Sequence, residues 1–360
     1  MRMPKYLKTL AWLAAAGLLA SASASKAATY DITVGAGHPN TQTFVKLIET
    51  VFIPEVNKGM KEAGKGDTIN WTTGFGGTIV KFESLLEGAQ TGLVDIVVSP
   101  NVIRPSELPL NMFTYMAPFG SDDVKQTVEI VRAVYDKFPA VKQQWARFGQ
   151  QPIAHYVYAS HNIIGTFPIE KFEDVKGKKI GAAGVVGNFF SGTGATAVNG
   201  NFTTYYNDLQ NGVYNGATGP AAGMQQAKLQ EVAKHLNLVN FGTQYVVALS
   251  MNTAKMDSLP PYVQDIIRKA ALKYEEELAN LEVAETAAAI ESMKAAGVTV
   301  HVLPQDERVK WAAALPDLAG DWVKRLEAQG MPGRELLVFY MDELRKRGAK
   351  PARDWDAAYR

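Results

Sequence analysis

The chain has 360 residues, of which 47% are hydrophobic and 20% are charged. These values exclude a disordered chain or a small disulfide-stapled scaffold, and they favour one large or two medium globular domains. The 37 basic and 36 acidic residues give a formal net charge of +1. This balance lacks the strong single-sign field that favours bulk nucleic-acid binding, so no nucleic-acid partner is expected. The absence of cysteine excludes disulfides, thiolate metal sites, a cysteine nucleophile and a lipid-modified N-terminal cysteine.

The N-terminal segment has the features of a secretory signal peptide. Three basic residues precede Thr9, an apolar run follows to Ala20, and small residues then offer cleavage sites. The run is about a dozen residues long, whereas a spanning helix needs roughly 20, so a retained membrane anchor is the less favoured alternative. Removing 1–27, which holds four basic and no acidic residues, leaves 33 basic against 36 acidic residues. We therefore expect an exported, mildly acidic periplasmic protein.

Strands and helices alternate in the first part of the mature chain. The predicted elements are a strand at 30–34, a loop at 35–39, a helix from Thr41, a strand at 68–72, a turn at 74–77, a helix at 79–90 and a strand at 94–98. Apolar residues at helical spacing indicate the helices, whereas glycine and proline mark the loops. This alternation is typical of an α/β domain.

A second series of the same kind begins near Pro152. It comprises an extended segment at 153–158, a strand at 178–182 that leads into a glycine-rich turn, and a helix at 205–210. The two series share the pattern Gln-x-Gly-apolar-x-Asp/Asn, at 90–95 and again at 210–215. In each copy we expect a helix to end, turn on a left-handed glycine and lead into a strand. The repeat predicts two similar lobes with a ligand cleft and a hinge between them.

The longest predicted helix begins at Ser258, has prolines in its first turn and ends near Ala296. Its roughly 37 residues would span about 55 Å, so we expect it to brace both lobes. A strand at 298–302 and helices at 307–329 and 335–347 follow. The predicted division is a signal peptide at 1–27, lobe 1 at 28–150 with a return of C-terminal segments, lobe 2 at 151–252, and the long bracing helix with C-terminal helices at 253–360, which pack across both lobes.

Signatures of catalysis are weak. The five histidines never occur at His-x-x-x-His spacing, which disfavours a zinc enzyme. Ser191 lacks the first glycine of a Gly-x-Ser-x-Gly nucleophile elbow. The glycine run at 181–187 matches neither a dinucleotide fingerprint nor a phosphate loop. It can expose backbone N–H groups to an anion at a helix start, or it can simply allow close helix-to-sheet packing. No enzyme activity, cofactor or metal site is predicted.

Candidate ligand contacts lie after strands. His38 follows the first strand, and Ser99 and Asn101 follow the strand at 94–98. Ligands of open α/β sheets bind beyond the carboxyl ends of strands, although each of these residues could instead cap a helix or complete a turn. The second lobe is rich in aromatic residues, about half of which we expect in the core: Tyr156, Tyr158, Phe189, Phe190, Phe202, Tyr205 and Tyr206.

Four motifs in order resemble the periplasmic solute-binding proteins of tripartite ATP-independent periplasmic (TRAP) transporters. They are Leu86–Ile96 with Glu107–Leu110 and Ala117–Phe119, then Phe172–Ile180, then Asp208–Gly216, then Asn252 with Ser258–Pro260. The resemblance implies an α/β, two-lobe periplasmic-binding-protein fold, type II-like, with a long domain-spanning helix. It also implies a non-enzymatic receptor that delivers a small organic solute to TRAP permease membrane subunits. Transport in this family is driven by an ion gradient. Alternatives are a periplasmic ligand sensor partner and a cleft-based hydrolase or lyase.

The chain departs from the family pattern at the residues that bind the solute. In most members an arginine follows the Lys-Ile of the second-lobe motif and binds the ligand carboxylate, whereas this chain has Gly181. A second arginine of sialic-acid-binding relatives corresponds to His161. The asparagine that many relatives have before a proline corresponds to Gly219, and the ligand-stacking phenylalanine corresponds to Phe202. Glycine cannot replace the paired hydrogen bonds of a guanidinium.

The missing clamp predicts an unusual solute. We expect the two glycines to widen the cleft, and Tyr158, Phe189 and Phe202 to favour a bulky, partly apolar or aromatic organic acid. His161 and the backbone amides at 184–188 would substitute for the arginine; a small dicarboxylate bound by another arginine, such as Arg104, would contradict this. The predicted ligand-binding residues are His38, Ser99, Asn101, Tyr158, His161, Gly181, Asn188, Phe202, Asn215, Gly219 and Gln244.

Overall fold

Two β-sheets, each covered by helices, form two lobes, as the sequence predicts. The computed structural model describes residues 27–360, so the predicted signal peptide at 1–27 lies outside the described residues except for Ala27. The first sheet has the order β2-β1-β3-β10-β4, with β1 at Thr29–Ala36, β2 at Thr68–Gly74, β3 at Ile96–Pro100, β4 at Gln150–Val157 and β10 at Val246–Asn252. The second has the order β11-β9-β5-β8-β6-β7, with β5 at Asn162–Gly165, β6 at Lys179–Ala182, β7 at Thr196–Asn199, β8 at Gly216–Gly219, β9 at His235–Leu238 and β11 at Thr299–Val302.

Thirteen α-helices lie in the described part of the chain. They are α1 (Thr43–Leu47), α2 (Ile53–Glu62), α3 (Leu85–Gln90), α4 (Phe113–Met116), α5 (Val124–Lys137), α6 (Pro139–Ala146), α7 (Tyr205–Gln210), α8 (Ala221–Gln226), α9 (Thr253–Ser258), α10 (Pro261–Ala295), α11 (Gln305–Ala314), α12 (Leu318–Glu327) and α13 (Gly333–Lys346). A π-helical turn at Ile48–Phe52 joins α1 to α2. None of the helices within 27–360 is both long enough and apolar enough to cross a membrane.

The chain passes twice between the lobes. Residues 158–161 lead from β4 to β5, and residues 239–245 lead back from β9 to β10. The two crossing segments bind each other through backbone hydrogen bonds, from Tyr158 N to Tyr245 O at 3.1 Å and from Phe241 N to His161 O at 3.0 Å. A side-chain bond from Gly242 N to Ser160 Oγ at 2.9 Å adds to them. The predicted hinge is therefore a paired double crossover.

This topology changes the limits of the lobes. Strands β4 and β10, which lie at the two ends of the predicted second lobe at 151–252, pair with each other and, through β10, with β3. They are therefore part of the first sheet, because their partners are segments distant in sequence. The predicted C-terminal region at 253–360 also contributes β11, which pairs in parallel with β9 of the second sheet.

The internal repeat has the predicted geometry. In both copies a short helix, α3 or α7, ends at a glycine with positive φ, 75° at Gly92 and 70° at Gly212. The amide after each glycine bonds to a carbonyl in the preceding helix, from Leu93 N to Gly88 O and from Val213 N to Asp208 O. The chain then enters β3 or β8. The two lobes thus use the same helix-to-strand turn.

The long helix braces both lobes, but its start differs from the prediction. Ser258 ends α9 and donates to the Lys255 carbonyl, whereas Pro260 occupies the N-cap of α10 and Pro261 its first turn. The helix ends before Gly297, where φ is 83°. Its 35 residues span about 52 Å. It packs against α2 and β4 of the first lobe and α8 of the second.

The helix predicted at 79–90 is shorter than expected. A 3₁₀ turn at Phe82–Ser84 precedes α3, and residues 78–81 are irregular. The cause is packing, because the buried Val80 side chain fills the space beside Gly35 and Gly88. Val80 fits the apolar spacing of a helix, but it is buried by its contacts with Gly35 and Gly88 and does not belong to α3.

Candidate functional site

The carboxyl ends of the parallel strands in both lobes meet at the double crossover. Strand β10 is antiparallel to β3 and β4, so β4 runs parallel to β3 and ends at the same edge, at Val157. After four intervening residues, β5 begins at Asn162, which pairs with Gly219, the last residue of β8. The ends of β3 and β8 therefore lie on either side of the crossover. This is the edge where α/β sheets bind ligands.

In the first lobe, His38 lies at this edge. Its ring packs edge-on against Phe44 and Phe82, with centroid distances of 5.1 and 4.8 Å. Burial lowers the pKa of His38 to about 4, so the imidazole is neutral at physiological pH. Its Nδ1 has no hydrogen-bond partner in the described chain. His38 therefore offers a neutral ring atom, not a cation, to a solute.

Ser99 and Asn101 are fully buried beneath the edge. Ser99 pairs with Ala248 within the sheet, and Asn101 donates to the Asn111 carbonyl at 3.5 Å. Asn111 belongs to a buried network in which it also donates to Gln144 Oε1 at 3.0 Å. The Ser99 hydroxyl and the Asn101 side-chain carbonyl lack partners among residues 27–360. The two residues thus belong to the interior of lobe 1 and do not line an open cleft.

The crossover carries three of the predicted residues. Tyr158 donates to Gln42 Oε1 at 3.0 Å, and its ring packs against Phe44 at 6.0 Å. Since Phe44 also contacts His38, the structure brings His38 and Tyr158 together. His161 is held by backbone bonds to the returning segment, and burial lowers its pKa to about 4. A neutral His161 does not supply the positive charge of the arginine it was expected to replace.

Gln244, on the returning segment, completes the crossover group. Its Nε2 donates to the Phe241 carbonyl at 2.9 Å, and its backbone carbonyl accepts from Thr114 Oγ1 at 2.7 Å. The side-chain oxygen has no partner in the described residues. The next residue, Tyr245, packs against Tyr158 with ring centroids 5.2 Å apart. His38, Tyr158, His161 and Gln244 therefore form one connected group.

In the second lobe, aromatic rings occupy the space beside the two critical glycines. A Cβ atom at Gly181 would lie 2.9 Å from ring atoms of Tyr205 and of Tyr214. A Cβ atom at Gly219 would lie 2.5 Å from Cζ of Phe202. The prediction that glycine widens the cleft at these positions is wrong, because neighbouring rings fill it. Phe202 itself remains 38% exposed.

The other predicted residues lie elsewhere. Asn215 precedes β8 at the amino end of the sheet, where its Oδ1 accepts from Lys179 N at 2.9 Å. Phe189 is buried against Phe241 in the core and does not face a cleft. Asn188 lines a cavity of about 600 Å³ between the segment after β3, the 3₁₀ helix Gly184–Phe190 and α12. No described contact joins Asn188 or Asn215 to the crossover group, whereas Phe189 reaches it through the buried ring of Phe241.

Arg104, which the sequence offered as another arginine that could bind a solute carboxylate, already has partners within lobe 1. Its guanidinium bonds to Glu87 Oε1 at 2.6 Å and to the Glu83 carbonyl at 2.7 Å, and Glu107 is 3.8 Å away. Binding a solute would cost it these partners. Over residues 27–360 there is no group of three or more acidic or histidine side chains arranged to hold a metal ion. The arrangement is suited to binding an organic molecule between aromatic and neutral polar groups.

The sequence missed several contributors to this edge. Gln42 gave no signal, because its role depends on a contact with Tyr158, 116 residues away. Tyr214 lies inside the repeated motif, where it looked like a variable position. Tyr205 stood in the aromatic segment, but only the fold shows that its ring lies beside Gly181. The one sequence feature that could have indicated the two tyrosines is Gly181, a glycine where the family pattern has a large side chain, because a missing side chain leaves room for rings from elsewhere in the lobe.

Relatives in sequence support a binding role. The family profile DctP, bacterial extracellular solute-binding protein, family 7, matches residues 76–324, which is more than half of the chain. The C4-dicarboxylate-binding periplasmic protein DctP of Rhodobacter capsulatus is 31% identical over 130 residues. That match spans 36% of this chain and 38% of the Rhodobacter protein, so it covers well under two thirds of the relative.

Solved structures share the two-lobe fold. A TRAP periplasmic solute-binding protein from Desulfovibrio salexigens has a TM-score of 0.79 and 19% identity, covering 89% of this chain and 97% of its own. A TRAP solute-binding protein from Rhodoferax ferrireducens, in complex with copurified benzoate, has a TM-score of 0.74 and 19% identity, covering 88% and 98%. These likenesses confirm the predicted fold, and the profile match confirms the predicted resemblance. The chain belongs to the DctP family of bacterial extracellular solute-binding proteins, family 7.

Proposed function

We propose that the chain is the periplasmic solute-binding receptor of a TRAP transporter. It captures a small organic solute between its lobes and delivers it to an ion-gradient-driven membrane permease. The observation that carries this proposal is the meeting of the strand ends of both sheets at a paired double crossover, in a chain of this family. Such a crossover lets two rigid lobes close on a ligand with changes in few backbone dihedrals.

The solute we propose is an organic acid with a bulky or aromatic body. Phe202 presents a partly exposed ring, and aromatic side chains connect His38 to Tyr245 along the crossover. Rings of this kind bind planar solutes through stacked and edge-on contacts. Related solute-binding proteins of this fold contain benzoate, orotic acid or D-glucuronate.

Binding without turnover is part of the proposal, as is export to the periplasm. The histidines nearest the crossover are held neutral by burial and have no adjacent carboxylate in the described hydrogen-bond network. The signal-peptide pattern at 1–27 supports export. Sequencing the N-terminus of the protein recovered from the periplasm tests this part; retention of Met1 would contradict cleavage.

Thermal unfolding of the mature protein against a solute panel tests the function. The panel contains small dicarboxylates, sugar acids, aromatic acids, 2-oxo acids and neutral polyols. A solute at 100 times its Kd adds about 2.7 kcal/mol to the free energy of unfolding. We expect aromatic or bulky acids to raise the unfolding midpoint most. A panel in which no solute raises it, or in which a solute is chemically converted, would contradict a receptor of this kind.

A further inference from the structure

Four glycines of lobe 2 make room for three aromatic rings: Gly181 within β6, Gly200 just after β7, Gly219 at the end of β8 and Gly223 within α8. Each glycine, if given a Cβ atom, would place that atom within 3.0 Å of a ring or hydroxyl atom. The pairs are Gly181 with Tyr205 and Tyr214, Gly200 with the same two tyrosines, and Gly219 and Gly223 with Phe202. None of the four glycines has a positive φ. Their backbone would accept any residue, so it is the rings that require glycine here.

The three rings, Phe202, Tyr205 and Tyr214, pack in one contiguous row. Phe202 packs edge-on against Tyr205 with centroids 5.5 Å apart, and Tyr205 packs edge-on against Tyr214 at 6.0 Å. Tyr205 is 1% exposed, and Tyr214 is anchored by a hydrogen bond from its hydroxyl to the Asn199 carbonyl at 3.3 Å. Tyr205 lies at the centre, in contact with both neighbours and with Gly181.

Charge is nearly absent from this part of the chain. Between Lys179 and Lys228 the only charged residue is Asp208, which lies on α7. The loops that follow β6, β7 and β8 all fall within this interval. The loops after β6, β7 and β8 therefore present neutral backbone and aromatic groups, and none of these loops holds a cation that could pair with a carboxylate.

We propose that Tyr205 is a specificity-determining residue whose ring takes the place of a side chain at 181, so that lobe 2 binds an uncharged planar part of the solute. The proposal rests on the proposed receptor function. A solute acid group then faces lobe 1 or solvent. The row of three rings excludes small dicarboxylates because their second carboxylate would be desolvated against rings without a charged partner.

A double-mutant cycle, measured by thermal unfolding without any ligand, tests whether the Tyr205 ring excludes a side chain at position 181. Gly181→Arg should lower the unfolding midpoint of the otherwise wild-type protein by roughly 5 °C or more, because the new side chain overpacks the tyrosines. In a Tyr205→Ala background the same change should cost much less, since the vacated volume receives the new side chain and lets Tyr214 shift. Equal losses in the two backgrounds would overturn the proposal.

Benzoate and succinate are the probes for specificity. We expect benzoate to bind the wild-type protein at least tenfold more tightly than succinate. Tyr205→Ala should weaken benzoate binding roughly tenfold, whereas Tyr206→Val, at a half-buried neighbour on α7 whose hydroxyl bonds to Glu231, should not. The double variant Gly181→Arg, Tyr205→Ala should gain about tenfold in succinate affinity.

The outcomes separate the two proposals. Wild-type protein that binds succinate as tightly as benzoate overturns the role of Tyr205, and so does an unchanged benzoate affinity in Tyr205→Ala. If neither probe binds, the proposed solute class is wrong, while the double-mutant cycle still decides whether Tyr205 excludes a side chain at 181.

Discussion

Three buried histidines are held in the neutral form because burial disfavours the charged imidazolium. Burial lowers the pKa of His38, His155 and His161 to about 4, 3 and 4, all below the ordinary value of 6.5. The unfolded chain therefore binds more protons than the folded chain between these values. Stability from a neutral buried histidine is complete above pH 6.5 and is lost as the pH falls toward the folded pKa. Glu275 acts in the opposite direction, because burial raises its pKa to about 7.

The contribution of one histidine to the pH dependence of stability can be measured with a single substitution. His161→Gln removes one titrating ring at the crossover, so its free energy of unfolding should fall less than that of the wild type between pH 7 and pH 4. The difference between the two proteins should change by up to about 3 kcal/mol over this interval. Urea unfolding at several pH values measures it. Parallel pH dependences of the two proteins would show that His161 is not held neutral.

We predict that Lys81 binds a solute carboxylate from lobe 1, because it is exposed and lies on a loop over the carboxyl end of β1. It ends the loop after β2, which lies over the end of β1 through bonds from Gly76 N to the His38 carbonyl at 2.8 Å and from Gly77 N to the Ala36 carbonyl at 3.1 Å. The Lys81 side chain is exposed to solvent.

Lys81→Met should weaken binding of an aromatic acid about threefold, as expected for a partly solvated ion pair. The loss should shrink in 0.5 M salt, where screening is strong. Isothermal titration with benzoate measures both effects, and Lys46→Met, an exposed lysine on α1, is the matched control. A similar loss in both variants, or a loss that salt does not alter, would exclude a direct charge contact.

At the level of elements, α10 binds the first sheet through buried carboxylates. Glu275 accepts from the His155 amide at 2.6 Å and pairs with Arg132. Two turns later, Glu282 accepts from the Ala159 amide at 2.8 Å and from the Tyr156 hydroxyl. The helix thus fixes the end of β4 and the start of the crossover. A brace attached at this point keeps the hinge in register with both lobes.

Glu282→Gln should lower the free energy of unfolding by about 1–3 kcal/mol. An amide keeps one acceptor oxygen but turns an NH₂ group toward a donor, which leaves a buried polar group without a partner. Glu276→Gln, an exposed residue of α10 paired with Lys273, is the control and should change stability by less than about 0.5 kcal/mol. Denaturant unfolding compares the two variants. Equal losses in the free energy of unfolding would show that the buried Glu282 contacts stabilise the fold no more than an exposed ion pair does.

Local signals predicted local elements well. Strands β1 and β2, helix α7, both glycine turns of the repeat and the span of α10 could be inferred from apolar spacing and from glycine and proline positions. Strand β10 could not, because its position depends on pairing with β3 about 150 residues earlier. The same limit applies to the site. The sequence shows that Gly181 has no side chain, but only tertiary packing shows that Tyr205 and Tyr214 lie in its place.

For the whole molecule, the double crossover predicts closure by rotation of the lobes. One hydrophobic core continues across the hinge, where Phe241 of the crossover packs against Phe189 of lobe 2 and Phe119, which precedes α5. Packed interiors resist deformation, so this side of the molecule should stay closed while the strand-end edges approach each other. Phe119 N also bonds to the Phe241 carbonyl at 2.5 Å, which fixes the pivot.

Because the chain has no cysteine, two introduced cysteines report this motion without background labelling. Spin labels at Thr78→Cys and Thr203→Cys, exposed sites after β2 and β7, should move closer when a stabilising solute is added. A pair within lobe 1, Thr78→Cys and Lys61→Cys, should keep its distance. Double electron–electron resonance measures both distributions. An unchanged interlobe distance in protein that binds the solute would show that capture does not close the lobes, and a shift in the control pair would show that lobe 1 is not rigid.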